Sequence, residues 1–293
     1  MKISRYLVPS VLLLFSIFST VPAIAETRFK TLHILVTNDD GINSEGISAL
    51  AEALGSFARV TVVAPSENCS GAGHSITIQG PIMVEEVKKS GKFFGFGVGG
   101  TPATCVKVGV EQLIEEKPDL VVSGINDGFN IGRICYISGT FGAAQEGLFK
   151  GIPSICVSIQ KKKGKKMDFL GAAEFVKTYI IAQSKVGFPA DKVINITLPA
   201  GDKSEWKGIA LTALSDFSFK EIWFRRKTPW GKTYFWQTVR PPLGFKAQPG
   251  TDAEAIESKM ISITPVPLAP STLDSRSLGK LKLEFNGLAL EGR

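Results

Sequence analysis

Asn38-Asp39-Asp40-Gly41, two adjacent acids at the end of an apolar run, is the part of this chain best suited to chemistry. Neighbouring carboxylates repel each other unless a proton or a cation lies between them. Asp-Gly is also a common two-residue hairpin turn. Here, however, the apolar residues that follow Ser44 recur at Ile47, Leu50, Ala51 and Leu54, which is helical spacing. A strand that ends in paired acids and gives way to a helix sets those acids at the carboxyl edge of a sheet. Open α/β folds bind their ligands at that edge. Oxygen-only ligation suits a hard divalent cation, Mg²⁺, Mn²⁺ or Ca²⁺, better than zinc.

Three other segments point to the same chemistry. The turn-rich run from Ser66 to Ser75 follows a strand and brings Ser70 and His74 to the acidic edge. His74 reads either as a structural group or as a catalyst. In Gly124-Ile125-Asn126-Asp127-Gly128-Phe129-Asn130-Ile131-Gly132, Asn and Gly alternate after a strand. They supply amide oxygens for a cation and bare backbone N–H groups for an anion. Ser138-Gly139-Thr140 then opens a helix, whose first N–H groups attract phosphate. A cation site and an anion cradle at one sheet edge suggest a phosphoryl ester as substrate. Gly95 to Gly100 fits the G-x-G-x-x-G spacing, but Asp119 starts the next strand instead of ending it, so no dinucleotide site is expected there.

The elements that must carry these residues alternate. Strands are expected at 32–36, 59–65, 82–87, 93–98, 119–124, 155–159 and 192–198, and helices at 45–54, 101–113, 139–150 and 169–182. That alternation predicts a Rossmann-like, mostly parallel sheet with helices on both faces. From about residue 206 the texture becomes aromatic and loosely patterned, with hairpin-like runs such as Thr233-Tyr234-Phe235-Trp236. This reads as an arm, packed on the main domain or on a neighbouring subunit.

Residues 1–25 carry Lys2 and Arg5, an apolar middle, and Ala23-Ile24-Ala25 as a small-x-small cleavage site, the pattern of a secretory signal. The expected domain plan is therefore a signal at 1–25 and one α/β domain at 26–293, with core at 31–205 and arm and closing segment at 206–275. Cleavage removes two bases, taking the net charge from +7 to +5. So mild an excess is no nucleic-acid footprint, and after cleavage no stable membrane association is expected. The lysines between 161 and 166 read as a solvated loop. Cys69, Cys105, Cys135 and Cys156 form no CxxC pair, which argues against structural zinc. Their contexts are apolar, so free buried thiols are expected.

Taken in order, VTNDDGINSEGISALAEAL, VVAPSENCSGAGHSIT, GTPATCVKVGV, PDLVVSGINDGFNIG, SGTFGAAQEG, GIPSICVSI and GTDAEAIESKMISITPVPL resemble the SurE survival-protein family of metal-dependent nucleotide phosphatases. The resemblance implies one divalent ion per subunit, Mg²⁺ or Mn²⁺, held by Asp39, Asp40, Ser70 and Asn126. It implies phosphate contacts near Asn43, Asn130, Ser138, Gly139 and Thr140, and catalysis by Asp39 and Asp40. It further implies hydrolysis of nucleoside 5′-monophosphates, and of 3′ esters as well, by a homodimer or homotetramer built through the carboxy-terminal arm. Two positions depart from the family pattern: Ile137 stands in place of the usual Tyr, and Asp127 in place of a basic or neutral residue. A non-catalytic exported nucleotide or phosphate binder is the rival reading, and these two residues favour it. The signal segment implies a periplasmic or secreted protein, whereas the family is mostly cytoplasmic.

Overall fold

The structure is a computed structural model that describes residues 31–268 and the backbone of two short strands, Leu283–Phe285 and Leu288–Leu290. The segment read as a secretory signal and the end of the closing segment, 269–275, lie outside the described residues. Six strands run parallel at the centre: β1 (His33–Thr37), β2 (Arg59–Pro65), β4 (Lys92–Val98), β5 (Leu120–Asp127), β6 (Ser154–Ile159) and β7 (Lys192–Leu198). With β3 (Val84–Lys89), β8 (Gly208–Leu211) and β11 (Met260–Pro267) they form one sheet, ordered β3-β4-β2-β1-β5-β6-β7-β11-β8. All five residues of β1 are buried, as a strand covered on both faces requires.

Successive side chains of a strand point to opposite faces, and β1 shows what each face meets. Ile34 and Val36 join the core made with Ile47 and Leu50 of α1 (Glu45–Gly55) and Val176 of α4 (Phe169–Ser184). Leu35 packs with Val106 of α2 (Pro102–Val108) and Ala143 of α3 (Gly139–Phe149). Helices therefore cover both faces, as the alternation predicts.

The chain leaves β1 for β2 on one side, and β5 is its neighbour on the other. That reversal is a topological switch point, which opens a crevice beyond the carboxyl ends of β1 and β5. The expected strand at 119–124 in fact runs to Asp127, with a register shift against β6 between Ser123 and Asn126. Such an irregularity re-aims the residues that follow it. Gly124 sits there at φ +143°, where a Cβ would lie 2.4 Å from the Val157 carbonyl oxygen. Only glycine lets the two strands stay in contact at that point.

The other departures are local. The helix expected over 101–113 is α-helical to Val108 and then widens into a π turn, Gly109–Leu113. Its start is as expected, with Thr101 capping Thr104 N–H and Pro102 in the first turn. Gly95 lies within β4, packed so closely that a Cβ would come 2.6 Å from Val62. The segment after 206 is not all arm. β8 and β11 belong to the main sheet, and α5 (Asp252–Glu257) packs on β11. Between 206 and 268, β9 (Lys220–Lys227) and β10 (Thr233–Arg240) stand apart from that sheet, as an antiparallel hairpin. All four cysteines are free. No described helix is long and apolar enough to cross a membrane.

Candidate active site at the switch point

Asp39 and Asp40 leave the end of β1 directly into the crevice. Asp39 is buried at 3% exposure, and its Oδ1 accepts the Thr140 hydroxyl at 2.7 Å. Asp40 is half-buried, and its Oδ2 accepts Asp127 N–H at 3.0 Å, which ties β1 to the end of β5. The turn between β1 and α1 is braced by Asn38, whose amide donates to Gly41 O at 3.0 Å and Ser44 Oγ at 2.8 Å. Asn43 is exposed on that turn.

The loop after β2 is fixed at two points. Cys69 N–H donates to Asp39 O at 2.7 Å, so Ser70, itself exposed, follows directly on a residue bound to the acidic pair. Further on, His74 Nε2 meets Glu146 Oε2 at 2.9 Å, and Glu146 is buried on α3. Lys107 approaches the other oxygen of Glu146 at 3.8 Å, and the His74 ring lies 5.2 Å from that of Phe149. His74 thus belongs to the fastening of the Ser70 loop onto α3, the structural side of its two readings.

At the end of β5, Asn126 Nδ2 donates to Gly128 O at 2.7 Å, which leaves its amide oxygen without a hydrogen bond among the described residues. Asn130 is held rigidly by its backbone. Its N–H reaches Ser158 Oγ at 3.1 Å, and its carbonyl accepts Asn195 Nδ2 at 2.8 Å, Thr197 Oγ1 at 3.2 Å and Cys135 Sγ at 3.2 Å. Its side-chain Nδ2 is buried with no partner among the described residues. A buried donor left unmatched is costly unless a ligand completes it. The sequence carries a trace of this support, since Ser158, Asn195 and Thr197 are polar residues inside otherwise apolar strands.

Ser138 caps α3 by accepting Phe141 N–H at 3.3 Å, and Gly139 follows it. A Cβ on Gly139 would come 2.8 Å from Asp39 Cβ, so the helix start presses directly on the acid. Thr140 is fully buried, and its hydroxyl is engaged by Asp39. Four chain-distant segments are therefore tied together at the crevice: the β1 end, the β2 loop, the β5 end and the α3 start.

This arrangement has close relatives. Residues 34–221 match the family model described as Survival protein SurE. The chain belongs to the SurE family. It is 39% identical over 235 residues to the 5′-nucleotidase SurE of Syntrophus aciditrophicus, covering 80% of this chain and 88% of that one. Identity to the 5′-nucleotidase SurE of Moorella thermoacetica is 41% over 236 residues, covering 80% and 90%. The crystal structure of the SurE protein from Aquifex aeolicus superposes with a TM-score of 0.72 at 36% identity, over 84% of this chain and 98% of that chain.

The two departures from the SurE pattern take defined places. Asp127 Oδ2 pairs with Lys161 Nζ at 2.7 Å, so its charge arrives at the rim partnered. Ile137 is 61% exposed, just before the α3 cap. Lys165 pairs with Glu205 at 2.8 Å, so two lysines of the basic loop are fastened instead of simply solvated.

The donor set fits a hard cation. Neither Asp39 nor Asp40 has a Lys, Arg or His partner within 4.0 Å among the described residues. Among them no cluster of three or more His, Cys, Asp or Glu side chains is arranged for a metal, so a shell around this pair would need neutral oxygens beside the two carboxylates. Burial pushes the Asp39 carboxyl up to about 6, with the Asp40 charge adding to the rise and the Thr140 hydrogen bond opposing it. Burial also raises Asp40.

The sign of the resulting pH effect is fixed. Without metal, folded Asp39 keeps its proton to about pH 6, whereas its ordinary value is 3.8. Between those values the folded state holds more protons than the unfolded one, so stability falls as pH rises and levels off above the window. Excess Mn²⁺ is therefore expected to raise Tm more at about pH 7.5 than at about pH 5.5, because protons compete for Asp39 in the lower range. Thermal melts with Mn²⁺ and with EDTA at both pH values check this. An equal Mn²⁺ increment at the two would contradict it.

Proposed function

We propose that this chain is a divalent-cation-dependent phosphomonoesterase that hydrolyses nucleoside 5′-monophosphates, with 3′-monophosphates as secondary substrates. The single observation that carries the reading is the placement of Asp39 and Asp40 at the β1/β5 switch point, with Asp39 bound to the α3 start through Thr140 and neither acid within 4.0 Å of a Lys, Arg or His among the described residues. The printed names of the relatives, 5′-nucleotidase SurE, support the same substrate class.

In this reading Asp39, Asp40, Asn126 and Ser70 hold one ion, Mg²⁺ or Mn²⁺. When bound, such an ion polarises the phosphoryl group and lowers the pKa of a water. The rest falls to the chain's own groups. Thr140 holds the Asp39 carboxylate in one orientation from below. Asn130 Nδ2 donates to a phosphoryl oxygen without having to reorganise, since its backbone is already fixed on four sides. The start of α3, Ser138-Gly139-Thr140, presents the positive end of the helix dipole to the same anion, and Asn43 closes the solvent side. Asp40 is the less buried acid and accepts the proton of the attacking water.

Phosphate release from a panel of nucleoside monophosphates, with and without chelator, tests the reading. AMP should be cleaved in Mn²⁺, EDTA should abolish release, and excess metal should restore it. No release, or release indifferent to EDTA, would overturn it. The non-catalytic rival loses one of its two motives, since Asp127 is paired with Lys161.

The β9–β10 hairpin supports assembly through the arm. A two-stranded ribbon is marginal alone in water, yet this one exposes Phe235 at 59% and Trp236 at 66%. A homodimer or homotetramer covering those rings is the expected state, and Trp236→Glu should shift it toward monomer in sedimentation velocity. An unchanged sedimentation coefficient would remove the arm from the interface. Export through residues 1–25 is likewise proposed, and a mature protein whose sequenced amino terminus lies after Ala25 would bear it out, whereas a retained Lys2 would not.

A further inference from the structure

Beside the acids lies a feature that neither the cation site nor the anion cradle uses. A cleft of about 140 Å³ is lined by Gly128, Phe129, Lys161 and Phe219. Complete ligand pockets run to about 300–1,000 Å³, so this one has the size of a subsite for part of a ligand. Phe129 and Phe219 are both half-buried, their ring centroids are 5.7 Å apart, and the rings are inclined by only 29°. Phe217, buried behind them, meets Phe129 and Phe219 edge-on, at 5.7 and 5.5 Å. Two flat rings are thus held in place from below and left partly open above.

Asp127 links the cleft to the acidic site, with its N–H on Asp40 Oδ2 at 3.0 Å and its carboxylate on Lys161 Nζ at 2.7 Å. Gly128, a wall of the cleft, accepts the Asn126 amide. Asn126 and Phe129 are three positions apart, a span of at most roughly 11 Å. A ligand whose phosphate sits by Asp39 and Asp40 and whose next group is a sugar would carry a planar base to this distance.

We propose that Phe129 and Phe219 form the nucleobase subsite, stacking the base of the bound nucleotide, with the Lys161–Asp127 pair at its polar edge. The proposal rests on the nucleotidase reading above and adds to it where the base goes. Every base has a π face, so recognition by stacking tolerates any base and discriminates instead against esters that lack one. Phe219 directly precedes Lys220, the first residue of β9, so the subsite also adjoins the arm.

The test compares kcat/KM for AMP and for ribose 5-phosphate in excess Mn²⁺, for wild type and for Phe219→Leu and Phe219→Trp. Wild type should prefer AMP. Phe219→Leu should lower kcat/KM for AMP roughly 5- to 100-fold, chiefly through KM, and change ribose 5-phosphate less than about twofold. Phe219→Trp, which keeps a flat ring, should stay within about threefold of wild type on AMP. The internal ratio of the two esters separates stacking from a general loss of folded enzyme. Equal efficiency of wild type on both esters would overturn the subsite while leaving the phosphomonoesterase reading intact. So would equal losses on both esters, or a Leu variant as good as Trp on AMP. Release from neither ester by wild type would bring down the nucleotidase reading and the subsite with it.

Discussion

Asp39→Asn is expected to lower AMP turnover by at least about 10³-fold while leaving the metal-free protein at least as stable as the parent. The two effects have opposite signs for one physical reason. Asp39 is buried, and burial holds its carboxyl up at about 6 against an ordinary 3.8. At neutral pH the ionised form therefore destabilises the metal-free fold by up to about 3 kcal/mol. Asparagine has the same shape, keeps an oxygen for the Thr140 hydroxyl that now lies at 2.7 Å, and carries no charge to desolvate. It also removes half of the negative charge available to a cation, which is the loss the turnover assay reads. Paired melts in EDTA and phosphate-release assays in Mn²⁺ check both halves. A variant that melts lower than wild type without metal, or turns over normally with it, contradicts the assignment.

Gly142→Ala is expected to cost at least tenfold in kcat/KM and about 1–3 kcal/mol in stability, although alanine is the better helix former by about 1 kcal/mol. The cause is contact, not propensity. A Cβ at 142 would lie 2.1 Å from the Gly73 carbonyl oxygen, 2.7 Å from its carbon and 2.9 Å from His74 Cα. All three are backbone atoms and cannot swing aside. The loop must retreat as a body, straining the 2.9 Å His74–Glu146 contact at one end and carrying Ser70 with it at the other. Gly55→Ala, where nothing lies within 4 Å, is the matched control and should be neutral or slightly stabilising. Melting temperatures and kcat/KM of the two variants side by side decide the point. Wild-type activity in Gly142→Ala would free the loop from any part in the site.

What the sequence reveals of this site and what it hides have distinct physical causes. The ends of β1 and β2 are legible because each is an apolar run, buried at its carboxyl end, that stops abruptly. The Asp39-Asp40 pair, the loop beginning at Ser66 and the α3 start could therefore be assigned to one edge. Capping chemistry likewise fixes helix starts, as Thr101-Pro102 and Ser138 demonstrate. The continuation of β5 through Asp127 is hidden because Gly124 reads as a breaker, whereas here it allows the backbone to press against Val157. Pairings across long stretches of chain leave no local pattern. His74 with Glu146, Asp127 with Lys161 and Thr140 with Asp39 are separated by 72, 34 and 101 residues. The arm is blurred for a related reason. β8 and β11 enter the main sheet at its far edge, outside the regular strand–helix alternation, whereas β9–β10 stays separate.

The most direct test of the account is a crystal grown in Mn²⁺ and measured at the manganese absorption edge. One anomalous peak per subunit should lie between Asp39, Asp40 and Asn126, within reach of the Ser70 hydroxyl, and vanish in Asp39→Asn. A full-occupancy peak elsewhere, or no peak in a protein that still cleaves AMP, would contradict the claim that these oxygens converge to hold the ion.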